Sequence, residues 1–296
     1  MIDFLKLYWR DKSKFEAFVL EEGNFEEVLK VLELHSGEIR YPYKAAFSGM
    51  DIAIHKNSAS VKNSIHKSYN IVNEEEDQNY NDFTYSRLCE SIDYISSRLT
   101  DMDNSGITKL EFGLNLLVEI PAERLIRRNI LMHKLKGANH NRQYYGRGEL
   151  KQFDHHNYAI KIYDKAKQYD LSSNIIRVEI KFVKAVDYQR LGVMNVEDLK
   201  VKKNLRSLCL LLLKRFDELT IIDNYSGSDI EPSDLNQLIR YSNPSFWEED
   251  LRDRSRQTKF IHKRRFEVLL AKYELLKTKE YLRGLIIRKF IHLINR

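Results

Sequence analysis

Glycine and proline are scarce in this chain, 11 and 4 among 296 residues. Scarce glycine argues against folds that cradle nucleotides on Gly-rich loops, and neither G-x-x-x-x-G-K-[ST] nor G-x-G-x-x-G occurs. The two cysteines, Cys89 and Cys209, form no C-x-x-C, which excludes a disulfide framework and a zinc ribbon. Both lie in apolar, helix-like contexts and are expected to be core thiols in a reducing compartment. The longest apolar run, Leu208 to Leu213, is far too short to span a bilayer. Met1 to Lys6 carries charges early and lacks a signal-peptide core. The expectation is a soluble, cytoplasmic protein with no membrane partner.

What the chain does have is apolar content (43%), many tyrosines (17) and a mild net charge of +6. Its length leaves room for two cores. The charge is unevenly spread. From 252 to 296 there are 14 Lys/Arg against 4 Asp/Glu, a net of +10, which leaves about −4 for the first 251 residues. A near-neutral body with a basic end reads as an electrostatic handle for a polyanion, or more blandly as a solvated helix face.

Helical spacing over Asn24 to Leu34, with Asn24 as cap, predicts a helix. Met50, Ile52 and Ile54 alternate with Asp51, Ala53 and His55 as in a half-buried strand, and Ser60 to Tyr69 offers a hairpin partner. Glu74 to Asp77 is an acidic loop, read as solvated. Leu88, Ile92, Ile95 and Leu99 share a helix face capped by Asp82 or Thr84. Leu110, Phe112 and Leu114 then alternate with Glu111, Gly113 and Asn115. Pro121 opens a helical stretch to Leu135, and Gly137 to Asn157 reads as loop. Tyr158 to Lys165 places Ile160 and Ile162 inward and Lys161, Tyr163 and Lys165 outward. Ile176 to Phe182 turns Arg177, Glu179 and Lys181 outward. Val196 to Leu219 and the long basic pattern from Phe260 to Ile294 are helical, with a boundary near 225 to 250.

Three strands thus share an apolar face and a polar one. Paired in one antiparallel sheet, they bring together Glu111, Asn115, Lys161, Tyr163, Lys165, Arg177, Glu179 and Lys181. Two carboxylates supply hard ligands for Mg²⁺ or Mn²⁺, and a metal or a base makes a tyrosine hydroxyl an adequate nucleophile. Lysines nearby offset developing phosphate charge. Asp164 falls on the opposite face of a regular strand and is a ligand only if the strand bulges or ends there. Cross-strand Tyr, Lys and Glu pairs are also ordinary sheet surface. No His-x-His pair occurs, and the adjacent His155 and His156 point apart in an extended chain.

The segments Val61 to Lys67, Ile107 to Asn115, Tyr144-Tyr145-Gly146, Ile160 to Lys165 and Ile176 to Lys181 follow an order seen elsewhere. Over residues 48 to 185 the chain resembles rolling-circle replication initiators of filamentous phages and related plasmids. These carry a G-S-L-x-K hairpin, an R-x-D-x-x-x-N strand, a Y-x-G turn, a Y-D-K strand and an R-x-E strand. Here Asn63 stands where Gly is frequent, and Glu111 where Asp is commoner.

The resemblance implies a nickase and ligase that cuts one strand at an origin, holds the 5′ phosphate on tyrosine and rejoins it later. Tyr163 is the implied nucleophile, with Tyr145 competing. Lys161 and Lys165 assist, and Glu111, Glu179 and Asp164 are the implied ligands for Mg²⁺ or Mn²⁺. The implied partners are origin DNA, single-stranded and duplex, and the host replication machinery. Arg252, Arg254, Arg256, Lys259, Lys263, Arg264 and Arg265 are the expected DNA contacts. The expected fold is α+β, a curved antiparallel sheet with helices on one face, divided into a nicking domain (1–225) and a basic helical region (226–296). The rivals are a non-catalytic origin-binding or copy-control protein, and a related relaxase or transposase.

Overall fold

The computed structural model describes residues 1–143, 148–226 and 229–296. Tyr145 lies outside the described residues. The chain opens with β1 (Ile2–Trp9) and α1 (Ser13–Leu20), and runs through β2 (Val28–Leu32), β3 (Ile39–Phe47), β4 (Met50–His55) and β5 (Ser58–Ser64) into α2 (Ile65–Asn73) and α3 (Tyr85–Arg98). The middle supplies β6 (Ser105–Leu117), α4 (Ala122–Arg124), β7 (Ile130–His133), β8 (His140–Gln143), β9 (Glu149–Asp154), β10 (Tyr158–Asp164), α5 (Lys165–Gln168), β11 (Ile175–Phe182) and α6 (Val186–Gln189). There follow α7 (Lys202–Asp217), β12 (Leu219–Ile221), α8 (Pro232–Ser242), α9 (Arg256–Lys272) and α10 (Lys277–Ile294).

The fold is α+β. Ten strands form one open antiparallel sheet in the order β2-β3-β4-β5-β1-β6-β11-β10-β9-β8, and β12 pairs with β7 apart from it. Alternation decides its two faces. Leu5, Leu7, Leu110, Phe112, Ile160, Ile162, Val178 and Ile180 point into a core shared with Ile65 of α2, with Leu88, Ile92 and Ile95 of α3, and with Leu208 and Leu212 of α7. From α10, Leu282, Ile286, Phe290, Leu293 and Ile294 join the same core. Each such burial stabilises by about 1.5–3 kcal/mol, so α10 is a wall of the sheet's core. The opposite face of β1, β6, β10 and β11 carries the polar residues.

Thr84 caps α3, its Oγ1 accepting from the Arg87 amide at 3.4 Å. Where a helix was expected over Asn24 to Leu34 stands the outer strand β2, in which Leu29, Val31 and Leu32 remain exposed, as does Leu34 beyond its end. Its apolar residues pair along β3, with Val28 packed against the core and the rest exposed. The stretch from Pro121 to Leu135 holds only α4, one turn of π-helix (Leu125–Asn129) and β7. The supposed loop from 137 to 157 contains β8 and β9. Lys151 hides the latter strand: it is buried on the core side, where its Nζ donates to the carbonyls of Ile130 (2.6 Å) and Arg127 (3.2 Å). The pattern from Phe260 to Ile294 is two helices, broken where Glu274 takes a φ of 51°.

A second apolar cluster gathers Met132 with Ile222, Leu238, Tyr241, Trp247, Phe266 and Leu270. It takes up only part of the 226–296 region, because α10 returns to the first core. No helix among the described residues is long and apolar enough to cross a membrane.

His133 ties β7 to its surroundings. It is fully buried, with Nε2 3.0 Å from the Arg215 carbonyl and Nδ1 2.7 Å from His155 Nε2. A neutral ring protonated on Nε2 serves both contacts, donating to the carbonyl and accepting from His155 at Nδ1. Burial, reinforced by His155, pulls its pKa down to about 4, whereas the unfolded ring titrates near 6.5. The unfolded chain therefore binds the extra proton between those values, and stability is lost as pH falls from about 6.5 to about 4. Glu111, raised to about 7 by burial, gains stability over the same window, and His66, lowered to about 3 by burial, loses it. The test is therefore a difference: the stability gap between wild type and His133→Gln in denaturant unfolding should shrink as pH falls from about 6.5 to about 4. A gap that stays constant refutes the assignment.

Candidate functional site

β6, β11 and β10 lie side by side, so cross-strand register assembles the polar face. Arg177 stands opposite Asn115 and Tyr163, Glu179 opposite Gly113 and Lys161, and Lys181 opposite Glu111. Gly113 is required by this packing. A Cβ there would lie 2.8 Å from the Val178 carbonyl oxygen and 2.9 Å from Glu179 Cβ.

Arg177, 2% exposed, is the hub. Its Nε donates to Glu179 Oε2 at 2.7 Å, its Nη1 to Asn115 Oδ1 at 2.9 Å, and its Nη2 lies 3.4 Å from Asp3 Oδ2. Asp3 also accepts from Ser64 and, at 3.0 Å to each carboxylate oxygen, from Asn79 Nδ2. Lys161 Nζ bridges the two glutamates, 3.2 Å from both oxygens of Glu111 and 3.0 Å from Glu179 Oε1. Lys165, on the first turn of α5, is buried and donates to Asn79 Oδ1 (2.6 Å) and Gln168 Oε1 (3.1 Å). Its ammonium sits 5.5 Å from the Tyr163 ring centre and 5.1 Å from that of Tyr169.

Tyr163 is half-buried and lines an open cleft of about 360 Å³ with Asp3, Glu111, Lys161, Gln168, Glu179 and Lys181. Its hydroxyl has no hydrogen-bond partner among the described residues. A second opening shares Asp3 and Glu111 with the first and continues past Phe4, Asn63, Lys67 and Asp77. The two form one trough across the polar face.

The electrostatics follow from burial and neighbours. Burial, then the charge of Glu179, drives the Tyr163 phenol well above its usual range. Burial and the Glu179 charge also raise the Glu111 carboxyl, and Lys161 offsets this only in part. Burial opposes ionised Glu179 as well, but Lys161 and Arg177 overcome it and hold that carboxylate below the ordinary range. Asp3 is likewise held low by Arg177 and Lys165 against its own burial. Burial and the adjacent Arg177 pull the Lys165 ammonium down to about 7.

The expected residues are thus sorted. Glu111, Glu179, Lys161, Lys165 and Tyr163 come together. Asp164 does not join them: the strand stays regular to its end, so its side chain turns to the other face and caps α5, accepting from the Lys167 amide at 2.9 Å. His155 packs on His133 and Tyr158, and His156 meets Lys184, both away from the trough. Asp3, Asn79 and Tyr169 were missed by sequence reasoning. Asp3 carried a signal, a lone carboxylate in an otherwise apolar strand start; Asn79 carried none.

The donor set suits a hard divalent cation in one respect, since Glu111 and Glu179 converge on a single cationic group. That group is Lys161 itself, which a metal would have to displace. Among the described residues no cluster of three or more His, Cys, Asp or Glu is arranged to hold a metal.

The expected DNA contacts lie elsewhere. Arg252, Arg254, Arg256, Lys263, Arg264 and Arg265 are exposed on α9 and the turn before it, and Lys259 is half-exposed. Lys263 and Arg264 are the two that meet a carboxylate, Glu267, at 3.8 and 3.2 Å.

No protein-family profile and no curated protein matches the chain. Among solved structures, the chain is similar to a rolling circle replication initiator protein from Geobacillus stearothermophilus, at 13% identity and a TM-score of 0.43, over 77% of this chain and 88% of that one.

Proposed function

We propose that the chain nicks and rejoins single-stranded DNA at a replication origin through a covalent phosphotyrosine at Tyr163. The observation that carries the reading is a tyrosine without a hydrogen-bond partner among the described residues, on the wall of an open trough beside two convergent glutamates and two lysines. The order of the five segments that resemble rolling-circle initiators supports it.

In this reading the strand lies in the trough with its scissile phosphate at Tyr163. Tyr163 Oη gives up its proton to a base and attacks phosphorus, the P–O3′ bond breaks, and the departing 3′ oxygen takes up a proton in exchange. The 5′ phosphate remains on tyrosine until the 3′ hydroxyl attacks it in reverse. Lys165 supplies positive charge below its pKa of about 7 and a proton acceptor above it. Lys161 offsets charge on the phosphate once it leaves the glutamates. Glu111 and Glu179 would hold Mg²⁺ or Mn²⁺, which supplies Lewis-acid polarisation of the phosphate and a lower phenol pKa. Arg177 positions Glu179 from beneath the trough, and Asp3, on the trough wall, holds Arg177 in turn. The exposed basic residues of α9 would hold duplex DNA by phosphate neutralisation.

One observation favours a non-catalytic origin-binding protein: Lys161 already occupies the place between the two glutamates where a metal would sit. Supercoiled origin plasmid incubated with Mn²⁺ separates the readings. Open circles with protein covalently attached are expected from the wild type, with both products lost in Tyr163→Phe. Normal nicking by Tyr163→Phe moves the nucleophile elsewhere, with Tyr145→Phe as the next variant. Origin binding without any nicking by the wild type sinks the enzyme reading.

The competition at Lys161 has its own test. Lys161→Met removes the resident cation, so Mn²⁺ should bind more tightly, by about tenfold for each 1.4 kcal/mol of competition removed, while nicking slows. Weaker Mn²⁺ binding in isothermal titration would show that the glutamates are not the ligands.

A further inference from the structure

The open face of the sheet holds one arrangement that nicking chemistry at Tyr163 does not use. Lys6 on β1 is registered directly opposite Lys62 on β5 and directly opposite Lys109 on β6. Three ammonium-bearing chains therefore stand in one row across adjacent strands, spanning about 10 Å. Lys62 and Lys109 are exposed and Lys6 is half-buried. None of the three has a carboxylate within ion-pair distance among the described residues, although Asp51 on β4 stands opposite Lys62 at the end of the row.

Like charges directly opposite one another destabilise a sheet. Elsewhere on this face the rows alternate in sign: Lys161 opposes Glu179, and Lys181 opposes Glu111. The lysine row departs from that rule, and its mutual repulsion registers in Lys6, whose pKa is lowered by burial, then by Lys109 and Lys62. An anion laid over the row would relieve the repulsion.

The same strand shows which anion. β1 presents Phe4, Lys6 and Tyr8 on this face while Leu5, Leu7 and Trp9 are fully buried behind it. Phe4 lines the trough next to Asp3, Asn63 and Glu111. Tyr8 is flanked by Ser60 and by Gly106, beside which there is open space. Its ring is thus bordered by small residues on both sides. An aromatic, a lysine and an aromatic follow one another over about 13 Å, leading away from Tyr163's trough. Stacking rings alternating with phosphate-binding cations are what an unpaired strand needs, because its bases are free to stack. A duplex shields its bases and offers no such match.

Resting on the nicking reading, we propose that the row Lys6, Lys62 and Lys109, with Phe4 and Tyr8, is the platform that holds the single strand flanking the scissile phosphate. The row fixes phosphates, and the rings stack the bases on the path into the trough. α9 is left to the duplex.

The test measures binding of a short fluorescein-labelled single-stranded oligonucleotide to the full chain by anisotropy, in EDTA, across a salt series. Lys6→Gln, Lys62→Gln and Lys109→Gln combined should weaken binding about tenfold or more and make the log–log salt slope shallower by about 2. Melting temperature should hold or rise, because a repulsive row has been removed. Tyr8→Ala should weaken binding about fivefold or more with the salt slope unchanged. Unchanged affinity and slope in the triple variant overturn the proposal. So does an equal loss on a duplex of the same length, since the row would then be a general phosphate patch. Because no cleavage is read, the two hypotheses fail separately. A wild type that never nicks, with strand binding lost in the triple variant, keeps the platform and removes the nickase. Nicking with the triple variant binding normally does the reverse.

Discussion

A guanidinium buried at the junction of three strands governs this architecture. Desolvating the Arg177 charge is costly by several kcal/mol, and the cost is met only if its acceptors are correctly placed. Asp3 comes from β1, Asn115 from β6 and Glu179 from β11 itself. A slip of one residue in either pairing would turn an acceptor to the apolar face and leave the charge unpaired. The arginine thereby fixes the register of the central strands, and with it the distances among Glu111, Lys161 and Tyr163. Removing Asp3 would take away one of the two carboxylates that compensate the buried charge, and removing Asn115 one of its hydrogen bonds, so both matter to the site through the position of Arg177.

Around that hub the charges are layered. Glu179 is pinned by Lys161 and Arg177 and stays ionised, whereas burial and the Glu179 charge push Glu111 toward the neutral acid despite Lys161 and, at 3.9 Å, Lys181. Two carboxylates in nearly the same place thus have different readiness to accept a proton or a ligand. Lys165 has no carboxylate within ion-pair distance among the described residues and is held by the amide oxygens of Asn79 and Gln168, so burial and the Arg177 charge draw its pKa down. Asn79 serves Asp3, Lys165 and Tyr169 at once and links the loop after α2 to the far end of β10.

Much of this was legible in the sequence where local pattern and tertiary role agree. Strict alternation around Phe112, Ile160 and Val178 marked three neighbouring strands and the residues on their polar face. It also put Asp164 on the wrong face for the site, which its capping of α5 bears out. What stayed hidden depended on long-range compensation. Lys151 occupies a core-facing position because two carbonyls near the π-turn receive its ammonium, and no local pattern announces that. The apolar residues of Val28 to Leu32 have helical spacing, yet β3 is the available partner and the segment becomes a strand that remains largely exposed. Asn79, in an irregular segment, becomes important only when Asp3 and Lys165 arrive from distant parts of the chain.

The return of α10 to the first core has a kinetic meaning. Phe112, in the middle of the sheet, meets Phe290 at 6.4 Å between ring centres, and Leu282 and Ile286 close the same wall. Contacts this distant in sequence come after costly loop closure, and folds that depend on them form slowly. Until residues 282–294 dock, α7 covers the inner face of β6 only in part and the sheet presents a sticky apolar surface. Synthesis therefore leaves most of the chain waiting for one helix, a period in which chaperone capture or mispairing along the exposed strand β2 competes with folding.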